Sequence, residues 1–142
     1  MRIAVNNAGI AGEMAPVAGY STEGWRHIMA VNLDSVFYCM REEIPAMIDA
    51  CGGSNVNMSS AAGFVGLANA PGYVTAKHGV IGLTKSAALE YAAQGVRVNA
   101  VGRASSSPLC WAASALTRPP PASSAPNTRS AGRASPRRSR PW

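Results

Sequence analysis

A chain of 142 residues with 47% apolar content has enough apolar side chains for one domain-sized core, which excludes collagenous, mucin-like and acidic-tail classes. The formal charge of +6 is uneven: residues 1–101 carry six Lys+Arg against seven Asp+Glu, whereas residues 102–142 carry seven Arg and no acid. Three cysteines, Cys39, Cys51 and Cys110, have neither paired nor metal-ligand spacing, which argues against a disulfide framework or a zinc site and suits a reducing, cytoplasmic compartment.

Met1-Arg2-Ile3-Ala4-Val5 runs directly into Asn6-Asn7, so no signal peptide or membrane anchor is expected. Ile3-Ala4-Val5 reads as a short buried strand, broken at Asn6-Asn7-Ala8-Gly9 by small, turn-forming residues. After a loop to about Ser21, Thr22 is placed to cap a helix with Glu23 in its first turn. Trp25, Ile28, Met29, Leu33, Val36, Phe37 and Met40 then recur at helical period. Two helices meeting near Asn32 fit this stretch, with Pro45 kinking or shortening the second. Gly52-Gly53-Ser54 is a turn, and Asn55-Val56-Asn57-Met58 a strand running into Ser59-Ser60. Tyr73 to Gln94 is predicted as a helix from the spacing of Ala76, Val80, Leu83, Ala87 and Tyr91, stopped by Gly95. Val96 to Val101 is a final strand. Strands alternating with crossover helices imply an α/β fold with a parallel sheet. From Gly102 onward, Arg, Pro, Ser and Ala make up 31 of 41 residues without periodicity, and a disordered tail is expected over 102–142.

Tyr73 and Lys77 are four apart on one helix face. An ammonium one turn from a phenol favours the phenolate, and the pair can then act as a general acid and base; an amphipathic helix with an exposed lysine explains the same letters. Ser60 stands at the carboxyl end of a strand, where parallel sheets present ligand-contacting groups, and its hydroxyl can polarise a carbonyl or simply satisfy its own loop. Asn32 lies within the apolar stripe, where an amide must find partners and can hold a water or a backbone carbonyl. Asn7, Ala8 and Gly9 offer an amide and a close backbone approach suited to a ribose, or a plain turn. Met14, Trp25 and Phe64 read as packing residues.

Taken together, Asn7-Ala8-Gly9 after a strand, Val31-Asn32-Leu33, Ser59-Ser60-Ala61-Ala62-Gly63, the Tyr73 and Lys77 helix and Val96-Arg97-Val98-Asn99 resemble the short-chain dehydrogenase/reductase family, in its order and approximate spacing across residues 1–101. The resemblance implies part of a Rossmann-like doubly wound sheet and reversible hydride transfer between an alcohol or carbonyl substrate and NAD or NADP. It implies Tyr73 as general acid and base, Lys77 holding the nicotinamide ribose and favouring the phenolate, Ser60 orienting the substrate carbonyl and Asn32 supporting a proton-relay water. Asn7, Ala8 and Gly9 would line the cofactor, and helices over 33–50 and 73–94 would pair subunits in a homo-oligomer.

Three departures stand out. The family's first strands and glycine-rich pyrophosphate turn are not among the 142 residues, so a poorly soluble or partly folded chain without measurable activity alone is expected. Asn55 occupies a strand position that is apolar in the family. After Val-Asn-Ala-Val the family turns through Pro-Gly, whereas here Gly102-Arg103-Ala104 follows. One codon choice for residues 102–111, read from its third base, encodes Pro-Gly-Phe-Ile-Ile-Ala-Pro-Leu-Leu. A one-base deletion near codon 102 would account for the tail, and the flanking DNA checks it. The competing function is a basic tail that binds nucleic-acid phosphates.

Overall fold

The computed structural model describes residues 1–104. Ile3–Asn6 forms β1, Gly53–Ser60 forms β2 and Val96–Arg103 forms β3. They pair in parallel in the order β1-β2-β3, with Val5 beside Val56 and Val56 beside Asn99. Parallel pairing requires crossovers, and helices supply them. The described residues therefore form part of an α/β sheet, as the alternation of periods predicts.

The first crossover runs through α1 (Thr22–Met29) and α2 (Ser35–Asp49), and the second through α3 (Pro71–Tyr91). The cap of α1 is Ser21 and not Thr22, because Ser21 Oγ accepts the Gly24 N–H at 2.9 Å. Between α1 and α2 the chain does not break: Ala30–Asp34 forms a wide π turn that carries Asn32 inward. α2 continues four residues past Pro45. α3 begins two residues earlier than expected, with Pro71 in its first turn, where no amide hydrogen is needed. It tightens through Ala92–Gln94 and ends at Gly95, whose φ of +77° is the left-handed stop read from the sequence.

α2 and α3 cover one face of the sheet. Val36, Met40, Ile44 and Met47 from α2 meet Val80 and Ala87 from α3, with Ala4, Val96 and Val98 of the sheet beneath them. The middle of that covered face is polar. Asn6, Asn55 and Asn57 are buried on it, and Glu43 of α2 reaches down to them. Asn6 Nδ2 donates to Glu43 Oε2 at 3.0 Å and to Asn57 Oδ1 at 3.0 Å, and Asn57 Nδ2 donates to Thr84 Oγ1 at 3.0 Å. The opposite face of β1 carries no helix among the described residues, leaving Ile3 and Val5 70% and 58% exposed.

β3 extends two residues beyond the expected strand, because Gly102 and Arg103 pair with Ser59 and Ser60. The tail over 105–142, and the nucleic-acid reading that rests on it, lie outside the described residues. No helix among the described residues is long and apolar enough to cross a membrane.

Candidate active site

A cleft of about 400 Å3 opens at the carboxyl ends of the three strands. This is where an open parallel sheet exposes backbone ends and side chains that no ladder consumes. Asn7 and Gly9 line it from the turn after β1, Ser59 and Ser60 from the end of β2, Tyr73 and Lys77 from the first turns of α3 and Arg103 from the end of β3.

Tyr73 and Lys77 stand on one face of α3 with Lys77 Nζ 5.9 Å from the centre of the Tyr73 ring. The ammonium is buried and donates to the Met58 carbonyl at 2.8 Å. Burial pushes the Lys77 ammonium below the ordinary lysine value of 10.5, since it sheds hydration that one carbonyl replaces only in part. One residue along β2, Ser59 Oγ donates to the Lys77 carbonyl at 3.0 Å. The strand end and the helix are thus joined on both sides of Lys77, which fixes Tyr73 relative to Ser60. Ser60 opens the 3-10 turn Ala61–Gly63, and its Oγ accepts the Ala62 N–H at 3.2 Å. Its own hydroxyl hydrogen is left for another acceptor.

Gly63 allows this close stitching. A Cβ there would lie 2.5 Å from Ser59 Oγ, 2.7 Å from Ile81 Cδ1 and 2.9 Å from the Lys77 carbonyl oxygen. The turn after β1 comes equally near: a Cβ on Gly9 would lie 3.5 Å from Lys77 Nζ.

Asn32 is fully buried but does not line the cleft among the described residues. Its Oδ1 accepts the Ile10 N–H and its Nδ2 donates to the Ile10 carbonyl, both at 2.8 Å. The amide therefore clamps the loop that follows Gly9. Ala8 is exposed within that loop and forms no part of the wall among the described residues. Met14 corrects the packing expectation: it is 65% exposed and lines the cleft. Phe64 is also 65% exposed.

Sequence reasoning missed the Asn6, Asn57, Glu43 and Thr84 network, which lies between the sheet and the helices α2 and α3. Asn residues alternating on a strand were its visible signal, but the glutamate that meets them comes from another element. Arg103 belongs by composition to the basic segment, but its pairing with Ser60 places it on β3.

The short chain dehydrogenase family model matches residues 1–106. The chain belongs to this family. Cyclohexanol dehydrogenase of Acinetobacter sp. (strain SE19) is 54% identical over 101 residues, covering 71% of this chain and 40% of that protein. Among solved structures, NAD+-bound xylitol dehydrogenase matches at 34% identity with a TM-score of 0.72, over 73% of this chain and 40% of that one. ElxO with NADP bound matches at 34% identity with a TM-score of 0.70, over 72% of this chain and 42% of that one. This short-chain dehydrogenase chain thus spans about 40% of the length of the relatives it matches.

Proposed function

We propose that the described residues form the proton-transfer and nicotinamide-side part of an oxidoreductase that moves hydride between NAD(P)(H) and an alcohol or carbonyl carbon. The observation that carries this is the convergence of Ser60, Tyr73, Lys77, Asn7 and Gly9, drawn from three elements, on one cleft of about 400 Å3. That volume is within the roughly 300–1,000 Å3 of small-molecule sites. Support also comes from cyclohexanol dehydrogenase and from the neighbours solved with NAD+ and NADP bound.

The residues fit a nicotinamide nucleotide. Gly9 leaves open backbone beside Lys77 Nζ, which retains two N–H groups after its bond to Met58 and can donate them to ribose hydroxyls. When bound, the dinucleotide supplies the hydride acceptor or donor. Ser60 donates to the substrate oxygen and orients it towards Tyr73. The Tyr73 hydroxyl gives a proton to that oxygen in reduction and takes it in oxidation, and the Lys77 cation stabilises the phenolate in between. Asn32 acts indirectly by fixing the Ile10 loop, on which Gly9 depends. Outward-facing Phe37, Tyr38 and Leu89, 46%, 55% and 85% exposed, support subunit pairing through α2 and α3.

An NMR titration of the 142-residue chain with NADH tests the proposal. Amide shifts at Asn7, Gly9, Tyr73 and Lys77, with none at Arg41 and Glu42 on α2, are expected. In a chain whose dispersed amide spectrum shows it folded, shifts absent from the cleft would overturn it.

A further inference from the structure

β3 ends on Arg103, which pairs in register with Ser60 and lines the same cleft as Tyr73 and Lys77. The guanidinium charge has no counter-ion in the site: among the described residues no Asp or Glu lines the cleft. The single ion pair among the described residues joins Arg41 and Glu42 on α2. Lys77, the other cation lining the cleft, is buried and already donates to the Met58 carbonyl, whereas Arg103 is exposed. The intervening wall includes Met14, Ala62 and Leu67, apolar groups suited to the hydrocarbon body of a ligand.

A planar guanidinium offers paired N–H groups whose spacing matches a carboxylate or a phosphate, and the match is stronger where no carboxylate of the protein competes. We propose that this cleft selects a ligand bearing an oxyanion, and that Arg103 receives that carboxylate or phosphate. Resting on the function proposed above, the assignment places the reacting oxygen at Ser60 and Tyr73 and the anionic end at the β3 terminus. The substrate class is then an oxo or hydroxy acid with an apolar body between its two polar ends, unless the anion is the phosphate on the nicotinamide ribose.

Binding to the full 142-residue chain, followed by NMR at low ionic strength, tests this with two probe pairs. 4-Oxocyclohexanecarboxylate against 4-methylcyclohexanone isolates a carboxylate, and nicotinamide mononucleotide against nicotinamide riboside isolates a phosphate. For one pair, the anionic member binds about tenfold more tightly than the neutral one, a ratio in the range of one charge-assisted contact. The ratio falls towards one in Arg103→Gln, is partly kept in Arg103→Lys and shrinks with added salt. Arg103 is exposed at a strand end, so amide dispersion in Arg103→Gln remains that of the parent. The pair that responds identifies the source of the anion. The assignment is overturned if neither pair discriminates, or if Arg103→Gln leaves both ratios unchanged. A failure of the dehydrogenase reading is distinguishable, since NADH would then leave the Tyr73 and Lys77 amides unperturbed while the preference for an anion, read at Arg103, persisted.

Discussion

Lys77 carries opposing demands at the scale of a single residue. Burial penalises its charge, and the Met58 carbonyl at 2.8 Å offsets part of that penalty. Because its folded value lies below the ordinary 10.5, the unfolded chain binds the proton more readily. Folding stability therefore rises with pH in the alkaline window that ends near 10.5, and is lowest once the ammonium is fully charged in both states. Denaturant midpoints measured from neutral to alkaline pH are expected to show this rise, and Lys77→Met to remove it. The same variant folds at least as stably at neutral pH yet loses nicotinamide binding, which separates a functional lysine from a structural one. Asn55 gives a second test. Its Nδ2 donates to Glu43 Oε2 at 2.6 Å, but its Oδ1 is buried without a partner among the described residues. Asn55→Ile gives up one bond to a carboxylate, worth about 1.5–3 kcal/mol. It also relieves an unsatisfied acceptor, about 1–3 kcal/mol, and adds apolar burial of a similar size. A net gain of about 1–2 kcal/mol in chemical denaturation is expected. Glu43→Ala moves the other way by about 1–3 kcal/mol, since it strands the buried Asn55 amide, while Asn6 keeps its bond to Asn57 Oδ1.

Among the elements, α3 shows what positions the site. Its apolar spacing and its Gly95 stop were legible because both are local: side chains three and four apart share a face, and only glycine adopts φ +77° without strain. Gly95→Ala is expected to cost about 1 kcal/mol in a thermal melt without changing cleft binding. The π turn at Ala30–Asp34 was legible only as a junction near Asn32, since its extra residue serves the Ile10 backbone, twenty-two positions away in sequence. The identity of Asn32 could be read, but its partner could not. Gly63 is similar. Nothing local announces that Ser59, Lys77 and Ile81 converge on it. Gly63→Ala, by forcing β2 and α3 apart, is expected to cost about 1–3 kcal/mol and to weaken NADH binding together with stability. Gly95→Ala would lower stability alone, so the two glycine variants separate the site from the helix.

At the scale of the whole molecule, α2 and α3 pack on one face of the sheet, whereas β1 presents Ile3 and Val5 to solvent among the described residues. The order of strands and crossovers was readable from alternating periods, and the cleft followed from where parallel strands end. The charge of that cleft was not readable, because Arg103 belongs by composition to the basic segment and by pairing to β3. On the function proposed above, Tyr73, poised by Lys77 and lining the same cleft as Ser60, moves the proton that accompanies hydride transfer. A chimera in which residues 1–101 replace the matching segment of cyclohexanol dehydrogenase supplies the rest of a dinucleotide site and tests this directly. Transfer of deuterium from labelled NADH to cyclohexanone is predicted for the chimera. Tyr73→Phe is expected to lower kcat by about 10²–10⁴, the range for a positioned general acid, with NADH binding retained. Undiminished transfer by the Tyr73→Phe chimera would contradict the account.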